Sequence, residues 1–172
     1  MKNLNNPYII SFAGLKNGEH IFKFHICNSF FQERDYSEIK KANIIAHVTL
    51  LKEPDVFIFT FKLEGTINVF CDRCGDDFDM PVWGEQKLIA NMTNDVYEEG
   101  DDIISISSAD SEIDISHFLY EYIFLLLPVR RVHPDKENGT STCNSESLKI
   151  INKFLKNKKQ IDHRWDALKK IK

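Results

Sequence analysis

Apolar and polar residues alternate from Phe22 to Cys27, with Phe22, Phe24 and Ile26 set against Lys23, His25 and Cys27. A period of two is that of a strand with one face on a core, so the first three side chains are expected inside. The same signal, with weaker alternation, predicts strands over 8–13 and 19–27 around the Gly14 to Gly18 turn. Further strands are expected over Ile44 to Leu51 and Val56 to Phe61, separated by Glu53-Pro54-Asp55, and over Thr66 to Phe70 and Val82 to Met92. Gly65 is read as the break before Thr66, and Phe30 and Phe31 as part of a short helix or turn. The stretch Asn94 to Asp114 reads as an acidic loop carrying a short strand at Ile103 to Ile106. The period then lengthens. Ile115, Phe118, Leu119, Tyr122, Ile123 and Leu126 recur at helical spacing, with Asp114 or Ser116 as cap and Pro128 as stop. A second helix begins near Asn144 or Ser145, with Leu148, Ile151, Phe154 and Leu155 on one side and Lys149, Lys153 and Lys156 on the other. A last turn or two is expected after Asp162, anchored by Trp165 and Leu168.

Short connections without a crossover helix favour antiparallel pairing. The expected class is therefore α+β: a mostly antiparallel sheet or small open barrel covered by one amphipathic helix, with a basic helical segment at the C-terminus. The expected division is 1–143 for the sheet-based domain, including the acidic loop 94–114 and the helix at about 115–127, and 144–172 for the basic extension.

Composition adds little to this picture until charge is divided along the chain. With 172 residues and 42% apolar content, the chain can bury a core, and its 13 Phe argue against disorder. The run Tyr122 to Val129 is too short to cross a bilayer, and Pro7, Ser11, Lys16 and Glu19 interrupt the apolar stretch around Ile9. A cytoplasmic protein with no membrane contact is expected. The formal charge of −4 conceals nine Lys or Arg against two Asp within 149–172, a local +7 that leaves −11 on the rest. Between Leu88 and Val129 there is no Lys or Arg at all. A solvated charged face would account for either run, but clustered cations also suit phosphate, because counterion release rewards them.

Of the four cysteines, Cys71 and Cys74 flank two residues at the end of a predicted strand, which is half of a tetrahedral zinc site. Redox chemistry would prefer a helix N-terminus or positive surroundings, whereas Asp72, Asp76 and Asp77 lie beside the pair. Candidates for the other half are His133 and Cys143, in a polar loop after the first long helix. Spacing alone leaves open whether these are ligands or side chains packed beside a loop. Four protein ligands would leave no vacancy for water, making the site structural. Such a site would tie the sheet to the loop that launches the basic helix.

The run Gly65-Thr66-Ile67-Asn68-Val69-Phe70-Cys71-Asp72-Arg73-Cys74 is followed by Glu112-Ile113-Asp114-Ile115, then Leu126-Leu127-Pro128-Val129-Arg130-Arg131-Val132-His133, then Gly139 and Cys143. In order and spacing this set resembles the YceD proteins, a family named for accumulation of the large-subunit ribosomal RNA. The ending Ile161-Asp162-His163-Arg164-Trp165 is similar to a branch that usually reads Asp-Pro-Arg-Trp, with His163 here in place of Pro. The resemblance implies a non-enzymatic factor in large ribosomal subunit biogenesis, with ribosomal RNA, an assembly intermediate or a ribosomal protein as partner and no small-molecule substrate. It carries the family's Cys or His positions onto Cys71, Cys74, His133 and Cys143.

On this reading Arg130, Arg131, Lys153, Lys156, Lys158 and Lys159 approach RNA phosphate, which positions a protein without specifying a sequence. The competing reading is an adaptor or chaperone for a basic ribosomal protein, with acidic residues 95–114 as its contact surface. An enzyme is disfavoured, because no acidic pair or Ser/His/Asp grouping stands in a catalytic context and a filled zinc site offers no open position.

Overall fold

The computed structural model describes residues 6–32, 37–39, 41–93, 100, 102–137 and 139–156. Expectations placed on Asp95, Glu98, Glu99, Asp101, Lys158, Lys159 and the segment after Asp162 lie outside the described residues, as does the side chain of Lys156. In chain order the elements are β1 (Ile9–Ser11), β2 (Gly18–Cys27), α1 (Asn28–Gln32), β3 (Ala42–Lys52), β4 (Val56–Phe70), β5 (Asp77–Met92), β6 (Ile103–Ile106), β7 (Glu112–Asp114), α2 (Ser116–Leu125) and α3 (Ser145–Lys156). They form two compact units, one of residues Met1–Val69 with Asp79–Val129, the other of Phe70–Phe78 with Arg130–Lys172.

The first unit is α+β, as its patterning predicts. Its main sheet is open, five-stranded and ordered β2-β3-β4-β5-β6. Alternation decides which face is inside: Ala42, Ile44, Ala46, Val48 and Leu50 of β3 and Phe57, Phe59, Phe61 and Leu63 of β4 are buried. On β2, Ile26 is buried while Phe22 and Phe24 on the same face are half-buried. The inner face is covered by α2, where Leu119, Tyr122 and Ile123 are buried and the Tyr122 ring meets Phe61 at 5.1 Å between centroids. β1 and β7 pair in a small second sheet, and Phe12, just past β1, packs on Phe57 at 4.8 Å. Each large side chain buried in this way contributes roughly 1.5–3 kcal/mol. Lys52 fastens the edge of the core, its ammonium donating to the carbonyls of Phe12 and Leu15, both at 2.8 Å.

Three details depart from the sequence reading. β5 and β6 run parallel, Ile89 beside Ile103, whereas β2 with β3 and β3 with β4 are antiparallel. β7, only three residues long, carries too little periodicity to be read as a strand, and it is Ile115 that stands at the cap of α2 while the Asp114 carboxylate accepts the Ser116 N–H at 2.8 Å. Most tellingly, Gly65 does not divide two strands. β4 runs through it, with Gly65 opposite Ile44 of β3. A β-carbon there would collide with the Asn43 carbonyl oxygen and lie 2.7 Å from the Ile44 α-carbon. The glycine is required by the close approach of a neighbouring backbone, the other physical use of Gly in a strand.

Gly65→Ala is accordingly expected to destabilise the protein by about 1–3 kcal/mol, the usual cost of forcing atoms into filled space. Denaturant unfolding of the two proteins checks this, and Gly14→Ala, where nothing lies within 4 Å of the added carbon, serves as the control.

Candidate metal centre

The second unit is built around three cysteines. Cys71 and Cys74 lie in the turn between β4 and β5, which is closed by two backbone bonds: Cys71 N–H to the Asp76 carbonyl at 2.8 Å and Gly75 N–H to the Cys71 carbonyl at 2.9 Å. Gly75 supplies the positive φ of +84° that lets the chain reverse. The Arg73 N–H points back at the Cys71 sulfur at 3.4 Å, so the turn aims backbone donors at a thiolate.

The second pair of candidate ligands, His133 and Cys143, is brought together by a small hairpin. Asp135 and Ser141 form an antiparallel bridge, supported by Lys136 N–H to the Thr140 carbonyl at 2.8 Å and by the Thr142 hydroxyl donating to the Pro134 carbonyl at 2.6 Å. Two residues outward on each side, the same pairing sets His133 against Cys143. The nine-residue gap that looked uninformative in the sequence is the length of that hairpin.

The four ligand atoms of Cys71, Cys74, His133 and Cys143 all lie within 4.8 Å of one another. Sulfur to sulfur, Cys71 and Cys143 are 3.8 Å apart; His133 Nδ1 is 3.5 Å from the Cys74 sulfur and 3.8 Å from that of Cys143. Four such atoms at the corners of a tetrahedron, about 2.3 Å (sulfur) and 2.0–2.1 Å (nitrogen) from a central ion, would be separated by about 3.8 Å for two sulfurs and about 3.6 Å for sulfur and nitrogen. These three separations match that geometry, and the group could hold a metal ion. All three cysteines are reduced and buried, with Phe78, Val132 and Leu148 packed against them. The Phe78 ring lies 4.4 Å from the His133 ring and fixes its plane.

Burial pushes the Cys71 thiol up, but hydrogen bonds from the His133, Arg73 and Cys74 backbones and from the His133 side chain outweigh it and bring the thiol down to about 6. At Cys143 the Ser141 hydroxyl favours the thiolate, yet burial and the adjacent Cys71 and Cys74 thiols together hold it above its usual value. One thiolate is thus welcome and further ones are opposed, the situation that a bound cation reverses.

Several supporting residues escaped the sequence reading. The Asp72 carboxylate accepts the Arg131 N–H at 2.6 Å while the Asp72 N–H donates to the Arg131 carbonyl at 2.7 Å, pinning the two ligand-bearing segments together. Arg73 donates to the Ser141 hydroxyl at 2.8 Å and lies 3.5 Å from the Asp135 carboxylate. Their signal is available in the charged pair inside Cys71-Asp72-Arg73-Cys74, of which the sequence reading weighs Asp72 against redox chemistry and Arg73 only as part of the family motif. Asn144, next to Cys143, accepts the Glu146 N–H at 2.9 Å to cap α3 and donates to the Asp76 carboxylate at 3.0 Å. Of the residues expected to meet RNA, Arg130 and Lys153 are exposed, whereas Arg131 is half-buried with its backbone engaged by Asp72.

Residues 59–172 match the sequence model of a family described as Large ribosomal RNA subunit accumulation protein YceD. The chain belongs to that family. Its YceD portion contains all four residues of the Cys/His cluster as well as α2 and α3. No curated protein and no solved structure matches the chain. The YceD description connects the chain to accumulation of large-subunit ribosomal RNA. No helix among the described residues is long and apolar enough to cross a membrane.

Because Asn144 both caps α3 and holds the Asp76 turn, Asn144→Ala is expected to cost about 1 kcal/mol, the typical loss on removing such a cap. Asn144→Asp should retain the cap while placing a second carboxylate beside Asp76, and so fall below the wild type in stability at neutral pH. Denaturant midpoints of the three proteins check this order.

Proposed function

We propose that the chain is a non-enzymatic, cytoplasmic factor in large ribosomal subunit biogenesis, supporting accumulation or processing of large-subunit ribosomal RNA around a structural zinc site. The observation that carries this reading is the YceD match over 59–172, a span that includes the Cys71, Cys74, His133 and Cys143 cluster. Zinc suits a Cys3His set, and four protein ligands leave it no open position, so its part is structural. Bound zinc would supply folding energy to a unit whose core is otherwise small, with ~10–16 kcal/mol typical of structural sites.

In this reading the site holds α3 at its start. Cys143 is a ligand, Asn144 is the cap, and Leu148, one turn on, packs against the sulfur cluster. Arg130, Arg131, Lys153, Lys156, Lys158 and Lys159 then form the cationic surface offered to RNA phosphate. Exposed Arg130 and Lys153 support this assignment among the described side chains.

A second reading, an adaptor for a ribosomal protein, is favoured by a different observation. α3 exposes Ile150, Phe154 and Leu155 at 57%, 69% and 60%, an apolar side that RNA phosphate would not engage. Its acidic contact surface, 95–114, is described only at residues 100 and 102–114.

Metal analysis of purified protein is expected to give one zinc per chain, with Cys71→Ser and Cys143→Ser each losing the metal and several kcal/mol of stability. Zinc-free protein whose variants unfold like the wild type would remove the structural-zinc reading. For RNA, Lys153, Lys156, Lys158 and Lys159 replaced together by Glu should weaken binding to large-subunit ribosomal RNA and flatten its dependence on salt by about 0.7–0.9 per lost phosphate contact. Filter binding at several salt concentrations measures this. A partner that remains bound after ribonuclease treatment would favour the adaptor instead.

A further inference from the structure

The main sheet ends at β2, whose one neighbour among the described residues is β3. The phase of the backbone shows which of its groups that pairing leaves over. The Lys41 carbonyl accepts the Asn68 N–H from β4 at 2.9 Å, so odd-numbered residues along β3 turn their backbone toward β4 and even-numbered ones toward β2. In the register of β2 with β3 even residues meet even ones, Phe22 opposite Val48 and Phe24 opposite Ala46. Glu19, Ile21, Lys23 and His25 therefore direct their N–H and C=O groups away from the sheet. The Tyr8 hydroxyl marks that direction, donating to the His25 carbonyl at 3.4 Å. Among the described residues, nothing bonds the backbone of Glu19, Ile21 or Lys23 on that side.

Folded proteins guard such an edge with short strands, Pro, bulges or inward charges, because it can add another chain. β2 has none of these: it runs ten residues in unbroken register without a Pro. Its exposed charges are Glu19 and Lys23, and neither makes an ion pair among the described residues. They share one face of the strand, two residues before and two after Ile21. Read in the opposite direction, the segment therefore complements itself. Antiparallel pairing of two copies centred on Ile21 sets each Glu19 directly opposite a Lys23, and no other centre does so. Centring on Phe22 or His20 moves Lys23 opposite Ile21 or Asn17, and centring on Lys23 sets ammonium on ammonium. Lys16, in the loop before β2, lies outside the paired stretch. On the other face the same register places half-buried Phe24 opposite Gly18, where no atom lies within 4 Å of the position a β-carbon would take. An aromatic ring laid over an edge glycine is a stabilising cross-strand arrangement.

We infer that the β2 edge is a self-association surface whose occupant is the β2 edge of a second copy, paired antiparallel about a twofold axis at Ile21, so that two five-stranded sheets become one. Ile21, 70% exposed in the single chain, meets its own counterpart at the axis. The Glu19–Lys23 contact occurs twice, as an isologous interface requires. Outward-directed backbone groups of Glu19, Ile21 and Lys23 supply the hydrogen bonds, as in other cases of strand addition. This goes beyond the ribosomal reading and does not depend on it.

Sedimentation equilibrium of the full chain tests the edge. Reversible dimerisation is expected at or below about 100 μM, and amide hydrogen exchange at Glu19, Ile21 and Lys23 should slow as concentration rises through that range. Ile21→Pro removes an N–H that pairing with β3 does not use, and should abolish dimerisation with the fold intact. Glu19→Lys and Lys23→Glu should each weaken self-association at least about tenfold, since like charges then face each other twice. Mixed in equal amounts, those two variants should associate about as well as the wild type, because each lysine again meets a glutamate. Phe154→Lys on α3 should leave the constant unchanged. A wild-type chain that stays monomeric throughout overturns the inference, as does a dimer that survives Ile21→Pro or is lost on Phe154→Lys. Should Ile21→Pro fail to fold, the mixture decides: single charge variants that dimerise like the wild type, or no recovery on mixing them, overturn the pairing.

Discussion

Three thiols and an imidazole within 4.8 Å of one another impose the strictest condition on this molecule. Each thiolate formed there raises the cost of the next, and burial raises it further, as the elevated Cys143 shows. Nearby donors relieve one negative charge but not three. The turn supplies N–H groups to Cys71, Ser141 supplies a hydroxyl to Cys143, and beyond these the arrangement is one that could hold a positive ion. Everything distinctive in the second unit serves that geometry: the Gly75 reversal, the Asp135–Ser141 hairpin, and the mutual bonds of Asp72 and Arg131.

The first unit obeys a different economy. Its stability rests on alternation carried through long strands, with Phe57, Phe59 and Phe61 fully buried on one face. Polar satisfaction is handled at the margins, as where Lys52 answers two loop carbonyls. The close approach of β3 to β4 at Gly65 is the one place in β4 where any side chain would be too much. Core building and ligand building are thus separate problems solved on different stretches of chain.

That separation explains what could be read from the sequence. Strands β2 to β5 were legible because periodicity is local, and α2 and α3 because the change from period two to helical spacing is equally local. Gly65 was misread because a lone glycine in a strand gives the same signal whether the chain turns or a neighbour crowds it. The parallel pairing of β6 and the three-residue β7 depend on partners distant in sequence, which no window along the chain displays. The Cys71 and Cys74 spacing identified half of the cluster directly. His133 and Cys143 stayed ambiguous, since what qualifies them is a bridge between Asp135 and Ser141 rather than a motif. Asp72 is visible as part of the electrostatic setting of the cysteines and Arg73 as part of the family motif, but neither signal shows that both bond to the loop that carries His133.

The long sequence interval within the cluster also bears on how the chain is made. Cys74 and His133 are 59 positions apart, so during synthesis at about 5–20 residues per second the first cysteine pair precedes its imidazole partner by about 3–12 s. Through that interval the nascent chain has two of the four cluster residues. Closure waits for Cys143, by which time every strand of the sheet has already been translated. The Cys/His cluster is therefore a late event in the life of each copy, completed near the moment at which α3 first becomes available.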